Sequence, residues 1–383
     1  MNADKKNKKI RIAVICPGFG LIPRGIETVV KEIFYSLAPS GKYSINIFCG
    51  GKHQRVNPPE NIKIINIQLP EFPSFFSKIY KKIALKLRLV SREEFDYSFL
   101  IFSVKLFFKL FFRKYDLIFN NGGIYCGLIC KLYRFFHNTP FIHTGHAGIN
   151  TLEFKLALQK PDVYIALSGP AEKWITEKLP YQKTHLIPNG LRPELFFPKK
   201  ITEENLGLGY KLARPVFLYV GALTQQKQPD RTIDAFAINK IGSLIIIGDG
   251  PLKNLIISKA SSLFKDKSKF LYIQNVDNDK IPDYFNFCDY FIMPSQNECF
   301  GLVYATAMAC NKPVIAEDAE IQRWMIEDGG LFCNTTDTKD IADKMQDILK
   351  IDFGNKPLLR SKKFHLPELI KKYENIINEW AKK

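Results

Sequence analysis

At 383 residues the chain is long enough for two ordinary domains, and its 46% hydrophobic and 24% charged residues are the profile of a folded soluble protein. The polar start of the sequence is unlike a secretory signal, and no window holds the ~20 uninterrupted apolar residues that a membrane-spanning helix needs. The formal net charge of +17 lies almost wholly in residues 1–195, which hold 29 Lys and Arg against 14 Asp and Glu, so we expect an anionic partner to bind the first half.

The predicted elements of the first half alternate between strands and helices. The run IAVICPGFG (12–20) begins as a strand and ends in a glycine-rich loop, and a helix is predicted from about Glu27 to Ala38. Further strand-like runs lie at 43–50, 115–121, 140–144 and 162–168. Short β-branched runs that alternate with helices are typical of a parallel sheet covered on both faces.

The second half alternates more regularly. Its strand-like runs lie at 216–221, 243–248, 270–273, 290–293 and 313–316, and helices are predicted near 229–239, 252–264, 279–287 and 301–310. We therefore predict an α/β protein of two doubly wound, Rossmann-like domains, 1–195 and 196–365, followed by a C-terminal helix at 366–383. Ligands of such sheets bind beyond the carboxyl ends of the strands, so two facing domains would bring both sets of loops into one cleft.

Neither a disulfide framework nor a metal site is predicted. The eight cysteines are scattered without a Cys-x-x-Cys pair, and most lie in apolar runs, which indicates eight reduced, buried thiols in a cytoplasmic protein. His143 and His146 are three residues apart, but no carboxylate motif accompanies them, so we expect no metal there.

The segment MPSQNECFGLVYATAMACNKPVIA (293–316) carries the clearest chemical pattern. A loop with Glu298 follows a strand, and Gly301 opens a helix whose first-turn N–H groups favour an anion such as the diphosphate of a nucleotide. An ionised Glu298 accepts hydrogen bonds, which suits the hydroxyls of a sugar attached to that diphosphate. The alternative is a solvated loop acid beside a glycine needed only for steric reasons.

This segment resembles the signature of retaining glycosyltransferases of family 4, also called group 1, which have the two-domain GT-B fold. The matching residues are Pro294, Ser295, Glu298, Phe300, Gly301, Ala307, Met308, Ala309, Pro313 and Val314. Thr306 stands where the family usually has a second Glu that binds the ribose, and its hydroxyl makes no charge-assisted hydrogen bond. The resemblance implies donor binding by Glu298, Phe300, Gly301, Leu302 and Thr306.

Two further loops of the second half are similar to the family pattern. VGALTQQKQPD (220–230) has Gly221 and Lys227 in place, with Ala222 where the family has Arg, and the resemblance implies donor binding by Gly221 and Lys227. The resemblance puts Lys227 on the leaving diphosphate, where a cation stabilises developing charge, whereas the alternative is a surface lysine. IIIGDGPL (245–252) matches the family's glycine turn, so Gly248 is a predicted donor contact or a purely structural glycine.

The first half matches the family at two loops. Gly25 lies in the stretch that corresponds to the family's Gly-Gly-x-Glu, where a glycine lets the backbone approach a phosphate or the acceptor. His146, in TPFIHTGHAG (139–148), falls at the position of the family's active-site histidine. A structural loop histidine is the alternative for His146.

The resemblance implies a retaining hexosyltransferase that uses a nucleotide-diphosphate sugar, UDP- or GDP-linked, with no metal and no cofactor. Glu298, His146 and Lys227 are its predicted catalytic residues. The acceptor is expected to be lipid-linked or a saccharide, in cell-surface polysaccharide or glycolipid synthesis. Two alternatives stay open: a catalytically impaired partner subunit, which Thr306 and Ala222 favour, and a nucleotide-sugar 2-epimerase of the same fold.

The stretch 78–114 is basic and rich in phenylalanine, with ten Lys and Arg against three acids. Apolar helices with a basic face suit an anionic membrane surface, so we predict peripheral binding to the inner face of the membrane. Ordinary core helices with solvated lysines are the alternative. Nucleic acid is not expected, because the stretch lacks the polar groove that tracks a strand.

Overall fold

The computed structural model describes residues 9–20, 25–50, 57–68, 96–277 and 279–381. The chain forms two compact units, of which the first comprises Met1–Ile187 with Leu369–Lys383 and the second comprises Pro188–Glu368. The first unit therefore contains the end of the chain as well as its beginning.

A seven-stranded parallel sheet forms the centre of the first unit, in the order β3-β2-β1-β4-β5-β6-β7. Its strands are β1 Ile10–Ile15, β2 Tyr43–Cys49, β3 Ile62–Asn66, β4 Leu117–Asn120, β5 Phe141–Thr144, β6 Val163–Ala166 and β7 Thr184–Leu186. Its helices are α1 Gly25–Leu37, α2 Asp96–Phe111, α3 Ile124–His137, α4 Thr151–Ala157 and α5 Gly169–Lys178.

The second unit has a six-stranded parallel sheet in the order β10-β9-β8-β11-β12-β13. Its strands are β8 Val216–Val220, β9 Ser243–Ile247, β10 Phe270–Ile273, β11 Tyr290–Ile292, β12 Val314–Glu317 and β13 Gly330–Cys333. Its helices are α6 Pro229–Asn239, α7 Lys253–Leu263, α8 Ile281–Phe287, α9 Leu302–Ala309, α10 Glu320–Ile326, α11 Thr338–Asp347 and α12 Lys356–Ser361. The last helix, α13 Leu366–Trp380, runs from this unit into the first.

Both strand orders confirm the predicted doubly wound α/β class. In each sheet the order reverses beside the first strand, which is the arrangement that places ligand-binding loops at the carboxyl ends of the central strands. The central strands are mostly apolar because helices cover both faces, as in β9, where Leu244–Ile246 are fully buried. The final helix ends at Trp380, three residues before its predicted end, and the other predicted strands and helices of the two domains are found with ends that differ by at most two residues.

Three strands were missed, and all three lie at sheet edges: β3, β7 and β13. In β3 and β7 most residues are only partly buried and polar residues interrupt the apolar ones, whereas β13 carries only the short apolar run Leu331–Cys333. The prediction of eight buried cysteines is wrong for Cys299, which is half-buried because it lies in the loop before α9.

The final helix packs on the first sheet. Tyr373 is fully buried against Phe119 of β4, with ring centroids 6.1 Å apart, and Ile377 is buried beside it. Lys183, just before β7, forms an ion pair with Glu379. Among the described residues, no helix combines the length and apolar content needed to span a bilayer.

Candidate functional site

The loop between β11 and α9 needs a glycine at its last position, Gly301. Gly301 has a φ of 76°, and a Cβ there would lie 2.5 Å from the ring of Tyr304. The Tyr304 hydroxyl donates a hydrogen bond to the main-chain oxygen of Met293 at 2.8 Å, which ties the first turn of α9 to the end of β11. The loop that carries Glu298 is therefore held at both ends.

Glu298 and Lys227, the two predicted catalytic residues of the second unit, are in direct contact. The Lys227 ammonium forms an ion pair with Glu298 Oε2, and both side chains are mostly buried, at 22% and 14% exposed. The Ser295 hydroxyl donates a hydrogen bond to the same carboxylate oxygen at 3.1 Å. Buried Gln322 donates to the main-chain oxygen of Glu298 at 3.2 Å, so backbone and side chain are both fixed.

The loop after β8 explains how Lys227 reaches Glu298. Lys227 ends a short 3-10 helix, Gln225–Lys227, and β8 lies next to β11 in the sheet. The main-chain N–H of Gln296 donates to the oxygen of Gln226 at 2.9 Å, and the Gln226 side chain donates to the oxygen of Gln296 at 3.1 Å. These bonds join the two loops at the carboxyl end of the sheet, and an anion bound there would meet a lysine and the start of α9.

The predicted donor glycines Gly221 and Gly248 lie against each other. Gly248 has a φ of 153°, and a Cβ there would lie 1.9 Å from the main-chain oxygen of Gly221. A Cβ at Gly221 would meet nothing closer than 3.3 Å. Gly248 is therefore needed for the close approach of the loops after β8 and β9, while a Cβ at Gly221 would be in tight contact with the side chain of Met293.

Three other predicted donor residues do not join the Glu298 cluster through their side chains. Phe300 is buried, and its ring packs on Phe364 at 5.6 Å between centroids. The hydroxyl of Thr306, 7% exposed, donates to the main-chain oxygen of Leu302 at 3.1 Å within α9. Leu302 is half-buried as the first residue of that helix.

Glu317, which the sequence analysis did not single out, lies beside the Glu298 loop. It is the last residue of β12, and the main-chain N–H of Asn297 donates to its Oε2 at 3.0 Å. Burial raises the pKa of Glu317, and the neighbouring Glu298 carboxylate adds to the rise against the hydrogen bond from Asn297. Its position at the carboxyl end of a strand is the sequence signal by which it could have been found.

In the first unit, His146 follows β5 and contacts the end of β4. Its Nε2 lies 2.9 Å from Asn121 Oδ1, which accepts, so Nε2 carries the proton and Nδ1 the lone pair. Burial lowers the pKa of His146 to about 4, with the nearby Glu153 opposing the shift. His146 is thus a neutral imidazole at neutral pH, suited to hydrogen bonding rather than to holding a charge.

A buried polar cluster that the sequence analysis missed holds the loop of His146 in place. His143 Nε2 donates to Glu153 Oε1 at 2.7 Å, and these two side chains are 3% and 1% exposed. The other oxygen, Oε2, accepts from the N–H of Ala147 at 2.9 Å. Burial raises the pKa of Glu153, but His143 and the N–H of Ala147 lower it by more, so the pKa lies below its ordinary value.

The signal for this cluster was a capping pattern. Asn150 caps α4 by accepting from the N–H of Glu153, and Glu153 stands at the third helical position, where an acid reaches back toward the preceding loop. Gly145 completes the loop, since a Cβ there would lie 2.2 Å from the Tyr164 hydroxyl.

Gly25 begins α1, and a Cβ there would have no atom within 4 Å, so a side chain fits this position. The close approach occurs at Gly18 instead, where a Cβ would lie 2.0 Å from a carboxylate oxygen of Glu27.

Comparison with curated proteins matches somewhat more than half of the chain in two relatives. N-acetyl-alpha-D-glucosaminyl L-malate synthase of Bacillus anthracis is 24% identical over 228 residues, which cover 57% of this chain and 58% of that protein. An uncharacterized glycosyltransferase of Methanocaldococcus jannaschii is 28% identical over 202 residues, which cover 51% of this chain and 52% of that protein. The chain thus spans about half the length of the curated relatives it matches.

Solved structures match nearly the whole chain. Sucrose-phosphate synthase of Thermosynechococcus elongatus superposes with a TM-score of 0.78 at 20% identity, covering 97% of this chain and 99% of that chain. The HepE protein of Anabaena in complex with UDP-glucose has a TM-score of 0.70 at 17% identity, covering 97% and 100%. At these identities the likeness shows the fold alone, which is GT-B.

Residues 203–363 match the family described as glycosyl transferases group 1, and they include β8 to β13 with Lys227, Glu298 and Glu317. Over this segment the chain is therefore similar to the glycosyl transferases group 1 family.

Proposed function

We propose that this protein transfers a hexosyl group from a nucleotide-diphosphate sugar to an acceptor hydroxyl. The observation that carries the proposal is the contact of Lys227 with Glu298 at the carboxyl ends of β8 and β11, within the glycosyl transferases group 1 region. Lys227 thereby offers a cation to a leaving diphosphate, and the adjacent Glu298 offers a carboxylate to the hydroxyls of the sugar.

In the proposed reaction, Lys227 and the start of α9 stabilise the departing diphosphate. Preorganised charge of this kind is worth about 10²–10³ in rate for a single donor. Glu298 orients the donor sugar, and neutral His146 makes a hydrogen bond to the sugar. The reaction retains the anomeric configuration, with the acceptor hydroxyl attacking from the face of the leaving group and a donor phosphate oxygen taking its proton.

We propose a uridine or guanosine donor, with UDP-sugars as the first to test. HepE of Anabaena, which shares the fold, was solved with UDP and with UDP-glucose. Thr306 supplies no carboxylate to the ribose, and its hydroxyl already bonds within α9. Glu317, on the neighbouring strand, is the carboxylate beside Glu298 that we assign to a donor hydroxyl in its place.

The acceptor is proposed to be lipid-linked or a saccharide, in polysaccharide or glycolipid synthesis at the cytoplasmic face of a membrane. Its support is the positive charge of the first half and the basic stretch 78–114. Residues 78–95 of that stretch lie outside the described residues, and the remainder includes α2.

The test is binding of a panel of nucleotide sugars by calorimetry and thermal shift, on wild type, Glu298→Ala and the exposed control Glu320→Gln. We expect one nucleotide sugar to saturate the wild type and the control, and to bind Glu298→Ala more weakly. At 100 times the dissociation constant, binding adds ~2.7 kcal/mol to the free energy of unfolding, which a thermal shift detects. Absence of binding by every nucleotide sugar would refute the proposal and favour a catalytically impaired partner subunit.

A nucleotide-sugar 2-epimerase of the same fold is the second alternative. It would convert the donor without any acceptor, whereas a transferase releases nucleoside diphosphate in proportion to the glycosylated product. Product analysis with and without acceptor therefore separates the two activities.

A further inference from the structure

The helices α2 and α3 of the first unit expose a continuous apolar surface, here called the aromatic surface. Its side chains are between 40% and 82% exposed, and Phe112 and Phe135 reach the highest value. The members on or just after α2 are Val104, Phe108 and Phe112, and those on α3 are Leu128, Leu132, Phe135 and Phe136.

The sequence of each helix is apolar on two sides. In α2, Phe102, Leu106 and Leu110 are fully buried in the core, yet the opposite stripe that includes Val104 and Phe108 is equally apolar. A helix at the surface of a globular protein ordinarily has polar residues on its outer side. The core thus accounts for only one side of α2, and α3 repeats the pattern.

Ring contacts join the two stripes into one surface. Phe111 lies 5.6 Å from Phe112 and 5.5 Å from Phe136, between ring centroids, and Phe136 lies 5.3 Å from Phe135. Four aromatic rings therefore form a connected row from the end of α2 to the end of α3. Exposed apolar patches of this kind mark interaction sites.

The charge around the aromatic surface has one sign. No Asp or Glu occurs in residues 99–115 or 122–138. The exposed cations in these ranges are Lys105, Lys109, Arg113, Lys114 and Lys131. Lys105 and Lys109 also line a hollow with Phe108 and the end of β3, at Asn66–Gln68.

We propose that the aromatic surface docks on an anionic phospholipid bilayer. Phe108, Phe112, Phe135 and Phe136 enter the interface between headgroups and acyl chains, and the surrounding cations contact the phosphates. The inference deepens the proposed membrane association and rests on it, but it assigns the contact to α2 together with α3. A second copy of the chain fits less well, because pairing two such surfaces would bring like charges together.

The test is co-sedimentation of the full chain with vesicles of phosphatidylglycerol and phosphatidylcholine, or of phosphatidylcholine alone. We expect binding to the anionic vesicles that weakens as salt rises, since salt screens the cations. Two variants probe the surface: Phe112→Ser with Phe135→Ser, and Lys105→Gln with Lys109→Gln and Arg113→Gln. Both variants should lower the vesicle affinity at least tenfold. The phenylalanine variant removes two exposed rings from the membrane interface. The cation variant removes three charges, each of which contributes about fivefold to the affinity for an anionic surface.

Matched controls change the same chemistry elsewhere on the exposed surface. Ile238→Ser removes an exposed apolar side chain of α6, and Lys240→Gln with Lys265→Gln and Lys267→Gln removes three exposed cations. Both controls should bind vesicles like the wild type. In a second readout, Phe112→Trp should be quenched by brominated lipid, and Ile238→Trp should not.

Three results would overturn the inference: no vesicle binding by the wild type, binding that the surface variants leave unchanged, or dimers that Phe112→Ser with Phe135→Ser dissociates. Nucleotide-sugar binding in the same preparations keeps the two proposals apart. Lost vesicle binding with intact donor binding refutes the docking surface alone. Lost donor binding with intact vesicle binding refutes the transferase alone.

Discussion

Replacing Glu153 with Gln should loosen the loop that carries His146. Glu153 accepts hydrogen bonds from His143 and from the N–H of Ala147 through its two oxygens, and it is almost fully buried. Gln offers one oxygen and an NH2 group, so one of the two donors would face another donor. An unsatisfied buried donor costs ~1–3 kcal/mol, and the loss of charge assistance on the other bond costs about 1 kcal/mol more.

We therefore expect Glu153→Gln to lower the free energy of unfolding by about 3 kcal/mol at pH 7, measured by urea denaturation followed by circular dichroism. Glu177→Gln is the control, since Glu177 is 62% exposed and its ion pair with Lys173 contributes ~0.5 kcal/mol or less. Binding of the nucleoside diphosphate without its sugar should be unchanged, because Lys227, which we assign to the diphosphate, belongs to the second unit.

The pH dependence gives an independent check. The pKa of Glu153 is lowered in the folded state, so its stabilisation is present above the ordinary carboxyl pKa and is lost as the pH falls through the folded pKa. The difference between wild type and Glu153→Gln should therefore shrink below about pH 4. A difference under ~0.5 kcal/mol at pH 7, equal to that of Glu177→Gln, would show that the cluster does not hold the loop.

Three further predictions concern the loops. Lys227→Met should lower kcat for the identified donor about 100-fold with a smaller change in KM, because the lysine stabilises charge that develops as the diphosphate leaves. An unchanged kcat would contradict this role of Lys227 in the reaction. Gly248→Ala should lower the free energy of unfolding by about 2–4 kcal/mol, because the added Cβ would collide with the main chain of Gly221. Gly25→Ala is the control and should change the free energy of unfolding by under ~1 kcal/mol, because its Cβ would meet no atom. Equal effects of the two substitutions in urea denaturation would refute this steric explanation. Because the pKa of His146 is lowered to about 4, the unfolded state binds its proton first, and the wild type should lose about 2 kcal/mol relative to His146→Gln as the pH falls from about 6.5 to 4; parallel stability curves would contradict this.

The sequence was sufficient to predict the doubly wound α/β class and the loops that matter. β-branched runs such as Ser243–Ile247 alternate with helices, and this local periodicity carries the strand and helix assignments without knowledge of partners. It also placed Glu298 and Gly301 in one short loop at the end of a strand. The edge strands β3 and β7, by contrast, are only partly buried and lack that signal.

Tertiary structure decided which side chains meet. Lys227 and Glu298 are 71 residues apart and touch because β8 and β11 are neighbours in the sheet, which periodicity does not determine. The contact of Glu317 with Asn297 likewise depends on the pairing of β11 with β12. The sequence of α2 is apolar on two sides, so only packing decides that Leu106 is buried and Phe108 exposed. Local patterns set the elements, whereas contacts between distant segments set the chemistry.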